Sequence, residues 1–559
     1  MKKLSLRTVI ALALALLLAL PGFAFAESER EVITIDVFCM AYSGSISGEW
    51  TDWCSYKLLD DLGVKINFWP GGDSATKMRS YIAADSLPDL IIFYDQSIVQ
   101  EAIAAGMLVN LKEYQDKLPS IFAEPLFEKA NAYFTTHMSD GTGEAQYVVP
   151  TQVGINAYNS HNWVPAIQWG AYRDAGKPEL NTLEDYLTAF AGMAEAKPTN
   201  ENGERVYALS VLADYGYIFA LDYLYDHPVV NGLMELTPWG DEPSIYKLVS
   251  DESMYKRSLK FFYEVNQLGL LDPDTLTQTF DDVTAKINAG RVFFVPYSWW
   301  YGGYHTDARG NDEANHDGIF CIPAKDMKVY TNPDNTIGRG VNFYAISNRS
   351  KNIDRVVEVL NWLYDINTHQ YFHTGPEGLL WEMVDGQPTL TDVGYEVISG
   401  AEMPMPGGGT LAQARAMFNT IGQSDGTINP YTNAPIGYWH WNSYLERNPT
   451  LARQQVAEFF GNGSAVFQKY LEDNDMMGYA VQAVNLLPAI PADLELIATS
   501  IKEVINTSSW QMVLASSADE FEALWQTMVQ TCEGMGYDQV AEFYTNAWTE
   551  TLADIAAYE

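Results

Sequence analysis

Residues 295–304 read VPYSWWYGGY, two tryptophans and three tyrosines within ten positions. Flat aromatic rings in a row suit the apolar face of a ligand, and Gly302 and Gly303 let a ligand or a second backbone approach closely. Trp299, Trp300 and Tyr301 are therefore read as binding residues. Trp50 and Trp53, at the end of the glycine-rich stretch AYSGSISGEWTDW, form a second candidate pair. Asp95 after PDLIIFYD is a third candidate, a carboxylate for ligand hydroxyls whose other reading is a helix cap. Trp163 and Trp169 follow YVVPTQVGINAYNS, and Trp439 and Trp441 lie in PIGYWHWNSY. For each of these tryptophans core packing is the competing reading, and Trp381 in EGLLWEMVDG reads as structural.

Motifs for catalysis fare worse. GQSDG (422–426) matches G-x-S-x-G, but a nucleophile elbow needs a strand before the serine and a helix after it. Here a helix-like AQARAMFNT precedes and a loop-like TINPYTNAP follows. His369 and His373 have the i, i+4 spacing of a metal pair, but no acidic third ligand accompanies them, and they read as surface histidines. H-E-x-x-H, a P-loop and G-x-G-x-x-G are absent. A secreted glycoside hydrolase is the alternative from the enzyme class. It needs two carboxylates about 5–10 Å apart, and 72 Asp and Glu leave such a pair open.

These candidates are carried by an α/β pattern. MKKLSLRTVIALALALLLALPGFAFA has the basic start, apolar run and A-x-A end of a secretory signal peptide, residues 1–26. The apolar run is short for a membrane span, and the first cysteine, Cys39, falls inside a strand-like VITIDVFCM rather than in a lipobox. The mature chain is expected to be extracellular and without a lipid anchor. Net charge is −39, or about −42 once the leader's three basic residues are removed. Such a surface repels phosphate backbones, so nucleic acid is excluded as a partner, and it favours a dissolved monomer. Four cysteines without C-x-x-C spacing read as thiols. After the leader, EVITIDVFCM, VKINFWP and PDLIIF read as strands separated by helices, which implies a largely parallel sheet with ligands at the carboxyl ends of its strands. GRVFFVPY is a short buried strand that ends at the opening motif. The chain turns helical again from about 450, and its last helix is expected around 517–536.

GAYRDAGKPELNTLEDYLTAF (170–190), GLLDPDTLTQTFDDVTAKINAG (269–290), TGPEGLLWEMVDGQPTLTDVG (374–394) and DEFEALWQTMVQTCEGMGYDQVAEFYTNAW (519–548), in this order behind a signal peptide, resemble the family 1 extracellular solute-binding proteins of bacterial ABC importers. The similarity is to the large oligosaccharide-type group of Gram-positive bacteria. The resemblance implies an α/β, two-lobed periplasmic-binding-protein-like fold of type II, like maltose-binding protein, with the ligand cleft between lobes. It implies one lobe of residues 27–150 plus about 331–400, and another of about 151–330 plus 401–559. Crossings are expected near YVVPTQVG, from CIPAK to GRGVNFYAIS, and around residue 400. It implies an oligosaccharide ligand, delivered to ABC permease subunits in the membrane, with no catalysis and no cofactor. A peptide ligand, or sensing rather than import, stays open. Many relatives carry a calcium loop where this chain has KPTNENGERVYALS (197–210). Pro198 and Val206 replace acidic positions there, so no metal is expected.

Overall fold

Apolar and polar residues alternate in ITIDVFC, and this run forms β1 (Ile33–Cys39). Ile35, Val37 and Cys39 turn to one face of the sheet and Phe38 to the other. Along the chain follow β2 (Gly48–Glu49), α1 (Trp53–Leu62), β3 (Val64–Phe68), α2 (Ser74–Ala83), β4 (Leu90–Phe93), α3 (Gln96–Ala104) and α4 (Glu128–His137). Asp52 caps α1 by accepting from the Cys54 and Ser55 amides at 2.9 and 3.0 Å, and Gly63, at φ 66°, ends it. β1 pairs in parallel with β3 and β4, and LIIF of β4 is buried along its whole length, as a central strand covered on both faces must be. The computed structural model describes residues 30–41, 47–71, 74–154, 161–237, 245–331, 335–398, 400–411, 418, 421–445, 449–478 and 486–558. The expected leader and part of the glycine-rich loop before Trp50 lie outside them.

The chain then crosses to a second sheet. Its elements are β5 (Trp163–Gln168), α5 (Asp185–Ala196), α6 (Met254–Gln267), α7 (Phe280–Asn288), β6 (Phe294–Tyr297) and β7 (Ile319–Cys321). β5 runs between β6 and β7, antiparallel to both. The TLED start of α5 closes through its acid: Asp185 accepts the Asn181 and Thr182 amides at 2.7 and 2.9 Å. A return crossing leads to β8 (Phe343–Ile346), antiparallel to β4, which completes the order β8-β4-β1-β3-β2. α8 (Ile353–Tyr364) and α9 (Ile366–Thr374) follow. α1 and α8 cover the sheet face that carries Ile35, and α2, α3 and α4 cover the face that carries Phe38.

The chain leaves the first lobe later than expected. Met403, Leu411, Phe418, Ile421 and Trp441 pack in the core of β1 and α8, while Leu451 already donates its amide to Asn311 of the second lobe. Phe418 lies 5.1 Å from Trp50, and Trp441 lies 5.6 Å from Trp381. Burying those rings keeps Phe418 and Trp441 on the first lobe, so the chain crosses after Trp441. Three helices close the chain: α10 (Ala492–Val513), α11 (Ala518–Gly534) and α12 (Tyr537–Ala556). The last of them lies beyond the helix expected at 517–536. Ser509 of α10 hydrogen-bonds Tyr255 of α6 at 2.6 Å, which ties this tail to the second lobe. Beyond α12, Tyr558 reaches back to Tyr133 of α4. All four cysteines are thiols. Among the described residues no helix is long and apolar enough to cross a membrane.

Candidate ligand-binding site at the crossings

Both sheets turn one edge toward the crossings. On the first lobe it is the carboxyl end of β1, β3 and β4, since Phe343 at the start of β8 pairs with Phe93 and Val149 of the first crossing pairs with Tyr344. On the second lobe β5 begins at Trp163 just after the first crossing, and Trp163 pairs with Tyr297, the last residue of β6. The loop that carries Ser298 to Tyr301 therefore emerges beside Trp163, and the Ser298 amide donates to Asn162 O at 3.0 Å.

This edge is a wall of aromatic rings. Trp163 stacks on Tyr223 with centroids 3.7 Å apart, and Tyr330 meets both rings edge-on. Tyr297 lies 4.8 Å from both Trp299 and Trp300, and Tyr217 closes on Tyr297 and Trp300. Trp299 is 54% exposed, whereas Trp300 is buried under Tyr217 and Phe280. Tyr301 is half-buried, and its hydroxyl lies 3.5 Å from Cys321 Sγ. Asp214 sits beside the wall, accepting the Gly216 amide at 2.7 Å with its carboxylate exposed.

The loop is fixed from beneath. Tyr304 donates to Asp317 Oδ2 at 2.8 Å and accepts from Gln168. Asp317 also takes the Gly170 and Gly318 amides and Lys197, so this buried carboxylate is fully engaged. The Arg309 guanidinium lies over the Tyr304 ring at 4.0 Å. A Cβ at Gly303 would meet the Asn288 side chain at 2.8 Å, so the glycine is what lets the loop close on α7. Tyr304→Phe is expected to cost about 1–3 kcal/mol in urea unfolding, because it leaves Asp317 and Gln168 each short of a partner. A loss below about 0.5 kcal/mol would mean that Trp300 packing alone holds the loop.

The crossings themselves are polar. Val153 pairs with Gln423 and Gly154 with Asn335, and Arg339 donates to Gln152 Oε1 at 2.9 Å. Asp425 accepts from Trp439 Nε1 at 3.1 Å and lies 3.5 Å from His440 Nε2. Burial works against the Asp425 charge, but the contacts from His440, His369 and Trp439 outweigh it and hold the carboxyl below its usual range.

The structure thus joins Trp163, Trp299 and Tyr301 at one edge and places the half-buried Trp439 at a crossing. Other candidates are corrected. Trp50 is buried among Phe68, Phe372 and Phe418, and Trp53, with no exposed surface, packs on Tyr371. Trp300 and Trp441 are 3% and 1% exposed. Trp169 is buried against Phe459, with its Nε1 on Gln455. These indoles supply core volume and offer a ligand no face. Asp95 caps α3 through the Ser97 amide at 2.7 Å, the other reading of that residue, and Lys502 of α10 stands near it. Ser424 of GQSDG is buried and donates to Gln152 O, which makes it a crossing hydrogen bond rather than a nucleophile. His369 and His373 are buried, not on the surface, and bond each other at 3.0 Å. Sequence reasoning missed Asp214 and Tyr217 at the edge, and the buried Tyr223 and Tyr330 that back Trp163. The dense YGY at 215–217 was the available signal.

The 197–210 turn does not fit a calcium ion. Asn200 Oδ1 is taken by the Asn202 and Glu204 amides, and Glu204 is taken by Asn200 Nδ2 and Arg291. The oxygens that a hard cation needs are already used, and Arg291 supplies the positive charge. Calcium or a chelator is expected to leave the melting temperature within about 1 °C, since a ligand stabilises only by binding the native state. Asn200→Ala should lower it by several degrees, at a cost of about 1–3 kcal/mol for two amides left without an acceptor.

No protein-family profile matches the sequence, and no curated protein does. Solved structures match along nearly the whole chain. An N-glycan transport solute-binding protein from Streptococcus pneumoniae, NgtS, is 15% identical, covers 93% of this chain and 99% of its own, and superposes with a TM-score of 0.54. The fold is that of the two-lobed solute-binding proteins. An HMO-binding, ABC-transporter-associated solute-binding protein from Bifidobacterium longum infantis gives 14% identity, the same coverages and a TM-score of 0.58. The S. pneumoniae ABC-transporter substrate-binding protein FusA, in complex with kestose, gives 14%, 93% and 100% coverage, and 0.59.

Proposed function

We propose that this protein is the extracellular substrate-binding component of an ABC importer, and that it captures a neutral oligosaccharide between its lobes and delivers it to a membrane permease. The observation that carries this reading is the ring wall of Trp163, Tyr217 and Trp299, backed by the buried Tyr297, at the lobe edge that faces the crossings. Sugar rings have apolar C–H faces and polar rims. Indole faces cover the former, while Asp214, Ser298 and the crossing residues Gln152 and Arg339 reach the latter. Micromolar affinity needs about −8 kcal/mol, so several such contacts must act together. A ligand that touches both lobes only when they are closed shifts the protein toward the closed form, and that form would dock on the permease. Binding without turnover is part of the reading, because the solved structures that the chain matches are of transport solute-binding proteins.

The test is a titration of residues 27–559 with a panel of neutral oligosaccharides, followed by tryptophan fluorescence and melting temperature, with the glycan analysed afterwards. A saturable signal, a raised melting temperature and an intact glycan support import binding. A cleaved glycan would replace the reading by a hydrolase.

A further inference from the structure

The first lobe holds a cavity of about 710 Å³, set in its helix layer between α1, α8 and α9. Every residue that lines it belongs to the first lobe, so lobe closure does not build it. The volume is in the range of small-molecule sites. Its floor is polar although buried: Gln370, Thr374 and Asn429 are at most 3% exposed. Asn429 Nδ2 donates to Gln370 Oε1 at 2.7 Å and to Asn367 Oδ1 at 3.2 Å, and Thr374 Oγ1 donates to Gln370 O at 2.8 Å. These bonds fix the direction of each floor group. Tyr431 stands at the rim, 62% exposed, yet it is held upright by Glu377, whose two oxygens each lie 3.0 Å from its hydroxyl. Trp381 is fixed in the wall by its Nε1 bond to Gly375 O at 3.0 Å. The lining carries two lysines against four carboxylates, which disfavours an anion.

Fixed amides and hydroxyls beneath an exposed, tethered ring suit a polyhydroxylated ring with one apolar face. We propose that this groove is a second saccharide subsite, separate from the lobe edges, which binds one or two neutral sugar units. The ligand class rests on the saccharide reading of the protein given above. The groove holds sugar more weakly than a cleft that closes on both faces, because only one side of the ligand is covered.

Hydrogen-exchange mass spectrometry of residues 27–559 tests this, with maltose, lactose or N,N′-diacetylchitobiose added at tens of millimolar. At least one sugar is expected to protect peptides spanning 366–381 and 428–434. The protection should persist in the Trp163→Ala/Trp299→Ala double variant and weaken at least fivefold in Tyr431→Ala, an exposed change that leaves the core intact. Protection that vanishes in the double variant, or that Tyr431→Ala leaves unchanged, overturns the subsite. So does the absence of any protection there in the wild type. The oligosaccharide reading is judged separately, by protection of 161–168 and 297–305. Loss of that signal alone, with 366–381 still protected, would fail the lobe edge and keep the groove.

Discussion

Replacing Trp163 and Trp299 together by alanine is expected to weaken oligosaccharide binding by about 100-fold or more. Trp163 has one face covered by Tyr223 at 3.7 Å and near-parallel, which fixes the ring, and the residue is half-buried. Trp299 is half exposed, although neighbouring rings pack it. A ring held rigid before the ligand arrives loses little entropy on binding. Truncating such an anchor typically costs about 2 kcal/mol or more, and a pair about 3–4 kcal/mol, since such losses are not additive. Folding should be little affected, because neither indole fills a sealed core position. Trp300→Ala makes the contrast. That ring is 3% exposed, and its loss should cost about 3–5 kcal/mol of stability. Calorimetric titration and urea unfolding of both variants separate the effects. If the double variant binds within about threefold of wild type, the second lobe's edge is not the site.

The sequence carried the fold further than it carried the site, and the reason is physical. Alternation in ITIDVFC and the buried run LIIF report burial directly, so β1, β3 and β4 and their parallel sense were legible, whereas the antiparallel β2 and β8 beside them and the antiparallel second sheet depart from the expected largely parallel sheet. The third crossing was not, because Phe418 and Trp441 are held on the first lobe by contacts across long sequence distances, which no local pattern reports. Tryptophan is ambiguous in the same way. Trp299 and Trp300 are adjacent in sequence, yet the turn at the end of β6 throws one out and folds the other under Tyr217. Periodicity cannot tell which. Trp163 was read as a candidate from its place just after a crossing. Tyr223 and Tyr330, which make its platform, come from separate segments that only the tertiary fold brings together.

Acid is expected to loosen the crossing region through His369. This ring is 1% exposed on α9. Gln423 donates its amide to Tyr364 O at 2.9 Å, which points its carbonyl oxygen at His369 Nδ1, 3.2 Å away. Nδ1 must then carry the hydrogen, and Nε2 accepts from His373 Nε2 at 3.0 Å. His369 is neutral in this relay, since a protonated His369 would set N–H against N–H. The groups around it are His373 on its own helix, and Gln423 and Asp425 from the crossing segment. Trp439 packs on His373 at 5.0 Å, and His440 lies against Asp425. Burial, only partly offset by Gln423 and Asp425, pushes the His369 pKa down from 6.5 to about 4. The unfolded chain therefore binds this proton more tightly. Its stabilising effect is complete above pH 6.5 and is lost as the pH falls toward 4, by about 2 kcal/mol between pH 7 and 4.5. His161 and His305, also lowered to about 4 by burial, act in the same direction. Asp52, raised to about 6 by burial, acts in the opposite one. Comparison with His369→Gln isolates the relay. At pH 7 the variant should be less stable by about 1–2 kcal/mol, for an imperfect replacement of two hydrogen bonds. At pH 4.5 the gap should close or reverse, because glutamine takes up no proton. Urea unfolding at the two pH values measures it, and a gap of constant size would show that His369 does not sense acid. Because Gln423 pairs with Val153 in the crossing and Trp439 packs on the relay, ligand affinity should fall in the same window in the wild type and fall less in the variant.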